Sequence, residues 1–424
     1  MNTSQSFVRY RWLIFWILAA QYLVVYFHRV SPAVLAPELV IAFKMSGTNL
    51  GLLASAYFYP YGIMQVPVGL LSDSWGSRKT ITLFALLAAI GTLLFGLSPW
   101  FSFAVGSRVL VGLGVSAIFI PTMRLFSVWF KPVEYARISG AFMAIGGLGW
   151  FTATIPLAFL TEIFGWRISV IIPGLATIIL SILTWFIVAD NPAQKRFSSE
   201  TKEREVPEER HNNLLVNLSV ILKEKYFWPI AIWFIFRGGA LFGFFGLWAG
   251  PYLIDIYGFS KQIAGNILSM VAFAMIFVSP VMGHLSDKTF MSRKKILVST
   301  SLLNCVCWLI FVLYQEHLTL IVIYINFFLM GITVSSVGTI AIVATRELFP
   351  LRIAGTAMGM MNVFPFIGGV LFQPLLGYIL DRAGKIHGTY TPSAYRLIIW
   401  ILFITSVLAL ISIMFSKETY KKAR

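Results

Sequence analysis

Apolar and polar positions in this chain alternate on the scale of whole helices rather than single turns. Twelve apolar runs, at 12–41, 49–71, 79–97, 100–130, 137–159, 168–188, 226–257, 261–284, 295–314, 318–346, 355–380 and 393–415, are separated by short polar breaks. Each approaches or exceeds the roughly 20 residues that an α-helix needs to cross a bilayer. In lipid the backbone must satisfy its own hydrogen bonds, so the runs predict helices. The short alternating segments of a membrane β-barrel are absent. One long stretch breaks the pattern. Asp190 to Lys225 is polar and rich in both signs of charge, with Pro192 and Pro207. The expected organisation is an all-α membrane protein of twelve transmembrane helices. Residues 1–189 form one six-helix bundle, 190–225 a linker and 226–424 a second bundle. Leucines 214, 215, 218 and 222 predict an amphipathic helix over Asn212–Leu222, lying on the membrane surface.

The two halves repeat each other. Gly69-Leu-Leu-Ser-Asp73, with Arg78 and Lys79 after it, follows the second run; Gly283-His-Leu-Ser-Asp287, with Arg293, Lys294 and Lys295, follows the eighth, 214 residues on. Arg137-Ile-Ser-Gly140 opens the fifth run and Arg352-Ile-Ala-Gly355 the eleventh, at an offset of 215. Two separate pairs at nearly one offset indicate a duplicated six-helix unit.

Composition fits this reading: 58% of residues are hydrophobic and 12% charged, with a mean hydropathy of +0.81. The net charge of +16 reports topology rather than a nucleic-acid partner. With a cytoplasmic N-terminus, the inner loops and tails hold 23 of the 33 Lys and Arg and the outer loops only 6. By the positive-inside rule both termini are expected in the cytoplasm of a multi-pass inner (plasma) membrane protein. The run from Trp12 is too long for a cleavable signal and lacks a small-residue cleavage site. Cys305 and Cys307, the only cysteines, share the ninth run, which suits neither a disulfide nor a metal site.

Four arginines lie within the runs: Arg29, Arg108, Arg124 and Arg237. A guanidinium inside a bilayer costs roughly 2.5–3.5 kcal/mol on insertion scales. Arg29 and Arg237 sit deep in the runs that open the two halves, too deep to snorkel easily to the surface. Arg keeps its charge and grips oxyanions bidentately, so the pair predicts a site for a small anionic solute. None of the seventeen Asp and Glu falls at mid-membrane. His28, beside Arg29, is the titratable candidate for proton coupling; otherwise counter-anion exchange or uniport fits the residues.

Twelve helices, the repeated G-x-L-S-D element and the basic linker resemble the major facilitator superfamily over essentially the whole chain. Within it, Tyr26-Phe-His-Arg29 resembles the first helix of organophosphate and organic-anion carriers, and Trp129-Phe130 to Arg137 with Asp190-Asn-Pro192 resemble loops of the anion:cation symporter branch. The resemblance implies two rocking bundles around a central site where paired arginines bind phosphate or carboxylate. It departs in two places. His28 stands where the symporter branch has an acid. In the second helix Tyr61 and Gln65 stand where organophosphate exchangers resemble Tyr and Lys, which favours a carboxylate or monoanion over a phosphate ester. Trp150, Trp248, Asn362 and Phe366 are further candidates to line the cavity, and Arg108 of Arg108-x-x-x-Gly112-x-Gly114 to shape it.

The resemblance also implies a cytoplasmic gate in which Asp73 approaches the start of the eleventh helix near Arg352, and Asp287 the start of the fifth near Arg137, with Arg78 and Glu347 close by. The expected protein is thus a monomeric carrier of organic anions rather than an enzyme, with no cofactor or metal. Uptake of an amino acid or other zwitterion is the alternative. Drug efflux ranks lower, since Gly146-Gly-Leu-Gly149 replaces the G-P pair of antiporters, and so does a non-transporting sensor, since no soluble domain is added.

Overall fold

The computed structural model describes residues 3–195, 214–336, 340–386 and 389–420. Among the described residues the twelve spans are built from eighteen α-helices and a π-helical stretch, because proline and glycine interrupt several of them. α1 (Thr3–Phe43) is continuous despite Pro32 and Pro37. The second span breaks into α2 (Gly47–Ser55), α3 (Phe58–Ile63) and α4 (Gln65–Trp75) around Pro60 and Pro67, which cannot donate to the helix ladder. α5 (Ser77–Gly96) is the third span; α6 (Phe101–Val115) and α7 (Phe119–Trp129) make the fourth, interrupted just before Pro121. α8 (Pro132–Thr152) and α9 (Ile155–Ile187) carry the fifth and sixth. The chain reverses inside α9 at Gly165, whose φ of 73° suits a residue without Cβ.

After the linker, α10 (Leu214–Lys223) precedes the seventh span. That span runs through α11 (Phe227–Gly238), a π-helical stretch over Gly239–Trp248 and α12 (Ala249–Tyr257). α13 (Lys261–His284) and α14 (Arg293–Tyr314) are the eighth and ninth. α15 (Leu320–Ser336) with α16 (Ile342–Leu348), α17 (Leu351–Met361) with α18 (Phe364–Ala383), and α19 (Pro392–Met414) complete the set. A two-residue antiparallel hairpin, β1 (Lys385–Ile386) and β2 (Thr389–Tyr390), joins the last two spans.

Each half packs as a six-helix bundle. α1 lies against α8 and α9, and α5 against α6 and α9; in the second half α14 lies against α15 and α19, and α11 against α18 and α19. The halves meet along α2–α18, α8–α13 and α1 with the π-helical stretch. The predicted amphipathic helix forms over Leu214–Lys223, but one face packs on α11 and α17 rather than resting wholly on the membrane.

The two ends of the interface differ. At the end away from the termini it is sealed. A Cβ on Gly250 would lie 1.9 Å from the Ala33 carbonyl oxygen, and one on Gly51 2.4 Å from that of Gln373, so only glycine permits these cross-half contacts. Glu38 pairs with Lys261, and Gln262 donates to Glu162 at 2.5 Å. Asp381 of α18 caps α2, accepting from the Gly47 and Thr48 amides and the Thr48 hydroxyl, each at 2.7 Å. At the end carrying the termini, the repeat glycines Gly69, Gly140, Gly283 and Gly355 all meet open space. The halves are sealed at the far end and meet less closely at the termini-bearing end, where α4 touches α17.

Candidate functional site

Arg29 sits where the two halves meet, 4% exposed. Its guanidinium lies 4.6 Å from the Tyr26 ring centroid, 4.7 Å from Tyr61 and 5.2 Å from Phe366, and its Nε donates to the Tyr57 hydroxyl at 3.4 Å. Three of these partners come from the first half and Phe366 from α18. The break between α2 and α3 at Ala56–Tyr57 turns Tyr57 and Tyr61 onto the same cation. Phe58, Phe242 and Phe366 stack together across the interface, with centroids 4.9–6.0 Å apart, and continue this aromatic wall. Each ring face offsets about 0.5–2 kcal/mol of the desolvation of a cation. Removing an ion from water costs several kcal/mol, which the three rings offset in part or in full, but none of them supplies a counter-charge.

No acid lies within ion-pair distance of Arg29, Arg108 or Arg237 among the described residues. The three cations differ in what replaces it. Arg108 donates to the carbonyls of His28 (3.2 Å) and Ala54 (3.5 Å), which ties α6 to α1 and α2 and fits the cavity-shaping expectation. Arg237 donates to Thr333 at 2.6 Å and lies 5.8 Å from the Trp233 ring, while its buried Nε has no partner. Its described contacts all fall inside the second half, whereas those of Arg29 span both. The numbering explains this. Arg237 follows Arg29 by 208 residues, not the 214 of the repeat, so it lies about 9 Å nearer the termini-bearing end than the repeat counterpart of Arg29.

The other candidates separate in the same way. Tyr61 belongs to the cage. Gln65 is buried and donates to the Tyr61 carbonyl at 3.1 Å, using an acceptor freed by the break at Met64. His28 turns into the first bundle, its Nε2 3.2 Å from the Thr92 hydroxyl and its ring edge-on to Phe27. Trp150 is fully buried in α8 with its indole N–H unpartnered, and Asn362 caps α17 where the eleventh span breaks. Trp248 donates to the Gln373 carbonyl at 3.0 Å on the sealed side.

At the termini-bearing end, Asp73 pairs with Arg124 of its own half at 3.1 Å. The Arg78 amide donates to Asp190 at 2.8 Å while its guanidinium stacks on Trp185, and Arg137 is exposed. The side chains of Asp287 and Arg352 lie outside the described residues; their helical segments are placed, and α4 touches α17. A cavity of about 340 Å³ bounded by Gly76, Arg124 and Asp190 also opens here, sharing no lining residue with the Arg29 cage.

A symmetric device appears that the sequence reading missed. Just past the sixth span Asp190 caps α5; just past the twelfth Glu418 caps α14, accepting from the Arg293 amide at 3.0 Å and from Ser292. Burial pushes the Glu418 carboxyl up, but the hydrogen bonds from Ser292 and the Tyr420, Arg293 and Lys294 amides outweigh it and hold it below the usual carboxylate range. Glu347 pairs with Arg293 at 3.0 Å. The repeat offset already places Arg78 opposite Arg293; an acid following each half's last span was the available signal.

The family model described as the Major Facilitator Superfamily matches residues 18–289 and 245–424. The chain is 21% identical to a probable sulfoacetate transporter of Cupriavidus necator, covering 89% of each, and 22% identical to a hexuronate transporter of Bacillus subtilis, covering 86% of this chain and 87% of that one. Its fold matches a crystal structure of a bacterial homolog of the human lysosomal transporter Spinster, inward-facing and occupied, with a TM-score of 0.75 at 16% identity over 96% of both chains. Twelve spans, a repeated loop element and family matches reaching across both bundles agree, and the chain belongs to the major facilitator superfamily.

Proposed function

We propose that this protein is a secondary transporter of a small organic anion, moved by alternating access across the inner (plasma) membrane with Arg29 as its anchor. The observation that carries the reading is a buried guanidinium, without an acid, in an aromatic cage built from both halves. An oxyanion entering from the termini-bearing end supplies the missing counter-charge and links the halves through Phe366. Rocking of the halves then carries it to the other side. Relatives named for sulfoacetate and hexuronate transport handle organic acids, which supports an anionic cargo. With Gln65 engaged on the Tyr61 carbonyl and Arg108, although 5.1 Å from the Tyr57 ring, engaged on the His28 and Ala54 carbonyls, Arg29 is the cation left for the cargo among the described residues of the cage, and a carboxylate fits it better than a phosphate ester dianion. A zwitterion's ammonium finds no carboxylate partner there.

In this reading Arg237, nearer the termini-bearing end, supplies a second positive field along the path. His28, held by Thr92, is a wall residue, so exchange against a counter-anion or uniport is favoured over proton symport. The bundles are residues 1–189 and 226–424 joined by 190–225, and the protein acts as a monomer. The termini-bearing end is the cytoplasmic one. Asp73 and Asp287 close it against the starts of α17 and α8, near Arg352 and Arg137, with Arg78 flanking. A thermal-shift screen of organic acids, sugar phosphates and amino acids on purified protein tests the reading. Stabilisation by carboxylates that Arg29→Gln removes supports it; stabilisation by amino acids alone contradicts it.

A further inference from the structure

The helix α10 is amphipathic twice over, and only one of its apolar faces is covered by protein. Asn217 and Ile221 are buried against the second bundle, where Ile221 joins Phe227, Ile353 and Ala357 in one cluster. On the neighbouring face Val216 (56%) and Val220 (49%) stay exposed, and Leu222 (41%) is exposed on the other flank of the buried stripe. α10 ends at Lys223, and a 31-residue membrane span begins at Phe227, so this face lies at the level of the membrane surface. The Trp228 indole, 41% exposed, donates to the Leu222 carbonyl at 3.0 Å and fixes α10 to the start of that span. A tryptophan at this depth belongs to the interfacial belt.

Positive charge gathers at the same place. The ammonium groups of Lys225 and Lys417 lie 5.0 Å and 5.6 Å from the Tyr226 ring centroid, and Lys223 is exposed one turn away. The neighbouring acid, Glu224, is engaged by the Tyr226 amide at 3.1 Å. We propose that this surface docks on anionic phospholipid headgroups: the apolar face enters the headgroup–acyl boundary while the three lysines hold the phosphates. Apolar insertion plus basic charge is the combination that binds an interfacial helix to an anionic leaflet. Each lysine near such a surface strengthens binding about fivefold.

The consequence reaches the gate. α10 packs on α17, and α17 touches α4 of the other half at the termini-bearing end. A headgroup that holds α10 in place therefore biases how far α17 can swing. Membrane surface charge is thus an input to the conformational equilibrium, independently of which anion is carried.

The test uses the full chain in proteoliposomes, with Cys305→Ser and Cys307→Ser and a reporter Gly355→Cys on the exposed face of α17. Maleimide labelling is compared in phosphatidylcholine and in phosphatidylcholine containing phosphatidylglycerol. The rate is expected to change severalfold with phosphatidylglycerol, and the change to shrink in high salt. Replacing Lys223, Lys225 and Lys417 together by Gln is expected to give one rate in both membranes, equal to the rate of the unsubstituted protein in phosphatidylcholine, which also shows that the variant is folded. Val220→Asp is expected to abolish the lipid effect through the apolar face alone. An undiminished lipid effect in the triple variant, or no effect of phosphatidylglycerol on the unsubstituted protein, overturns the proposal.

Discussion

At the scale of single residues, the chemistry rests on how each buried cation is compensated. Arg108 spends its donors on carbonyls and Arg237 reaches Thr333, while Arg29 is surrounded by ring faces and one hydroxyl. Arg29→Lys keeps the charge but loses the planar fork that meets a carboxylate with two parallel bonds. A hydrogen bond to a charged group contributes about 1.5–3 kcal/mol, so this variant is expected to bind the stabilising acid about 10–100-fold more weakly, read by titration of the purified protein. His28→Gln is expected to leave the pH profile of exchange unchanged, because its ring faces Thr92 inside the first bundle. Loss of acid stimulation in that variant would restore His28 as a proton carrier. Arg29, Tyr61 and Gln65 were legible as a cluster because a polar group deep in an apolar run stands out. Phe366 stood among the candidates to line the cavity, but Tyr57 and Phe242 were not legible as its walls, since an aromatic residue in a membrane helix looks the same whether it packs a core or faces a cation.

At the scale of helices, the far-end seal depends on contacts between residues remote in sequence. Asp381 caps α2 from 334 residues away, with all its bonds donated to it, two of them by backbone amides. Asp381→Ala leaves the first turn of α2 with orphan amides. Hydrogen exchange at Gly47 and Thr48 is then expected to quicken about tenfold or more, as for loss of an N-terminal cap contributing about 1–2 kcal/mol. Unchanged exchange would show that the glycine contacts alone hold the seal. The Glu418 clip behaves differently with pH. A carboxyl held below its ordinary value contributes stability above the ordinary carboxylate pKa, and the contribution fades as pH falls through the lowered value. The C-terminal tail at Ser416–Tyr420 is therefore expected to stay docked near neutrality and to loosen only in acid, measurable as faster exchange of the Arg293 and Lys294 amides. Span positions were legible from hydropathy alone because lipid forces every crossing to be helical. The reversal at Gly165 falls in the gap between the fifth and sixth runs and was legible too; the exact breaks at Ala56–Tyr57 and Met64, and the π-helical stretch after Arg237, were not, because Pro60 and Pro67 weaken the ladder without fixing where it opens, and the packing of neighbouring helices decides the rest.

At the scale of the whole molecule, a duplicated bundle sealed at one end and joined more loosely at the other describes a machine with two rocking halves. The duplication was visible in two loop motifs at offsets of 214 and 215; the misregister of Arg237 by six residues was visible in the same arithmetic, but its meaning needed the packing around Thr333. Which end is sealed could not be read from the sequence, since both conformations use the same residues. The central claim is that an organic anion held by Arg29 is carried across the membrane. Counterflow in proteoliposomes tests it most directly: vesicles loaded with an unlabelled acid, such as a hexuronate or sulfoacetate, are diluted into trace labelled acid and internal label is followed. The account predicts transient accumulation of at least one carboxylate above equilibrium, absent when Arg29 is replaced by Gln. Accumulation that survives Arg29→Gln, or that occurs only for uncharged solutes, would contradict it.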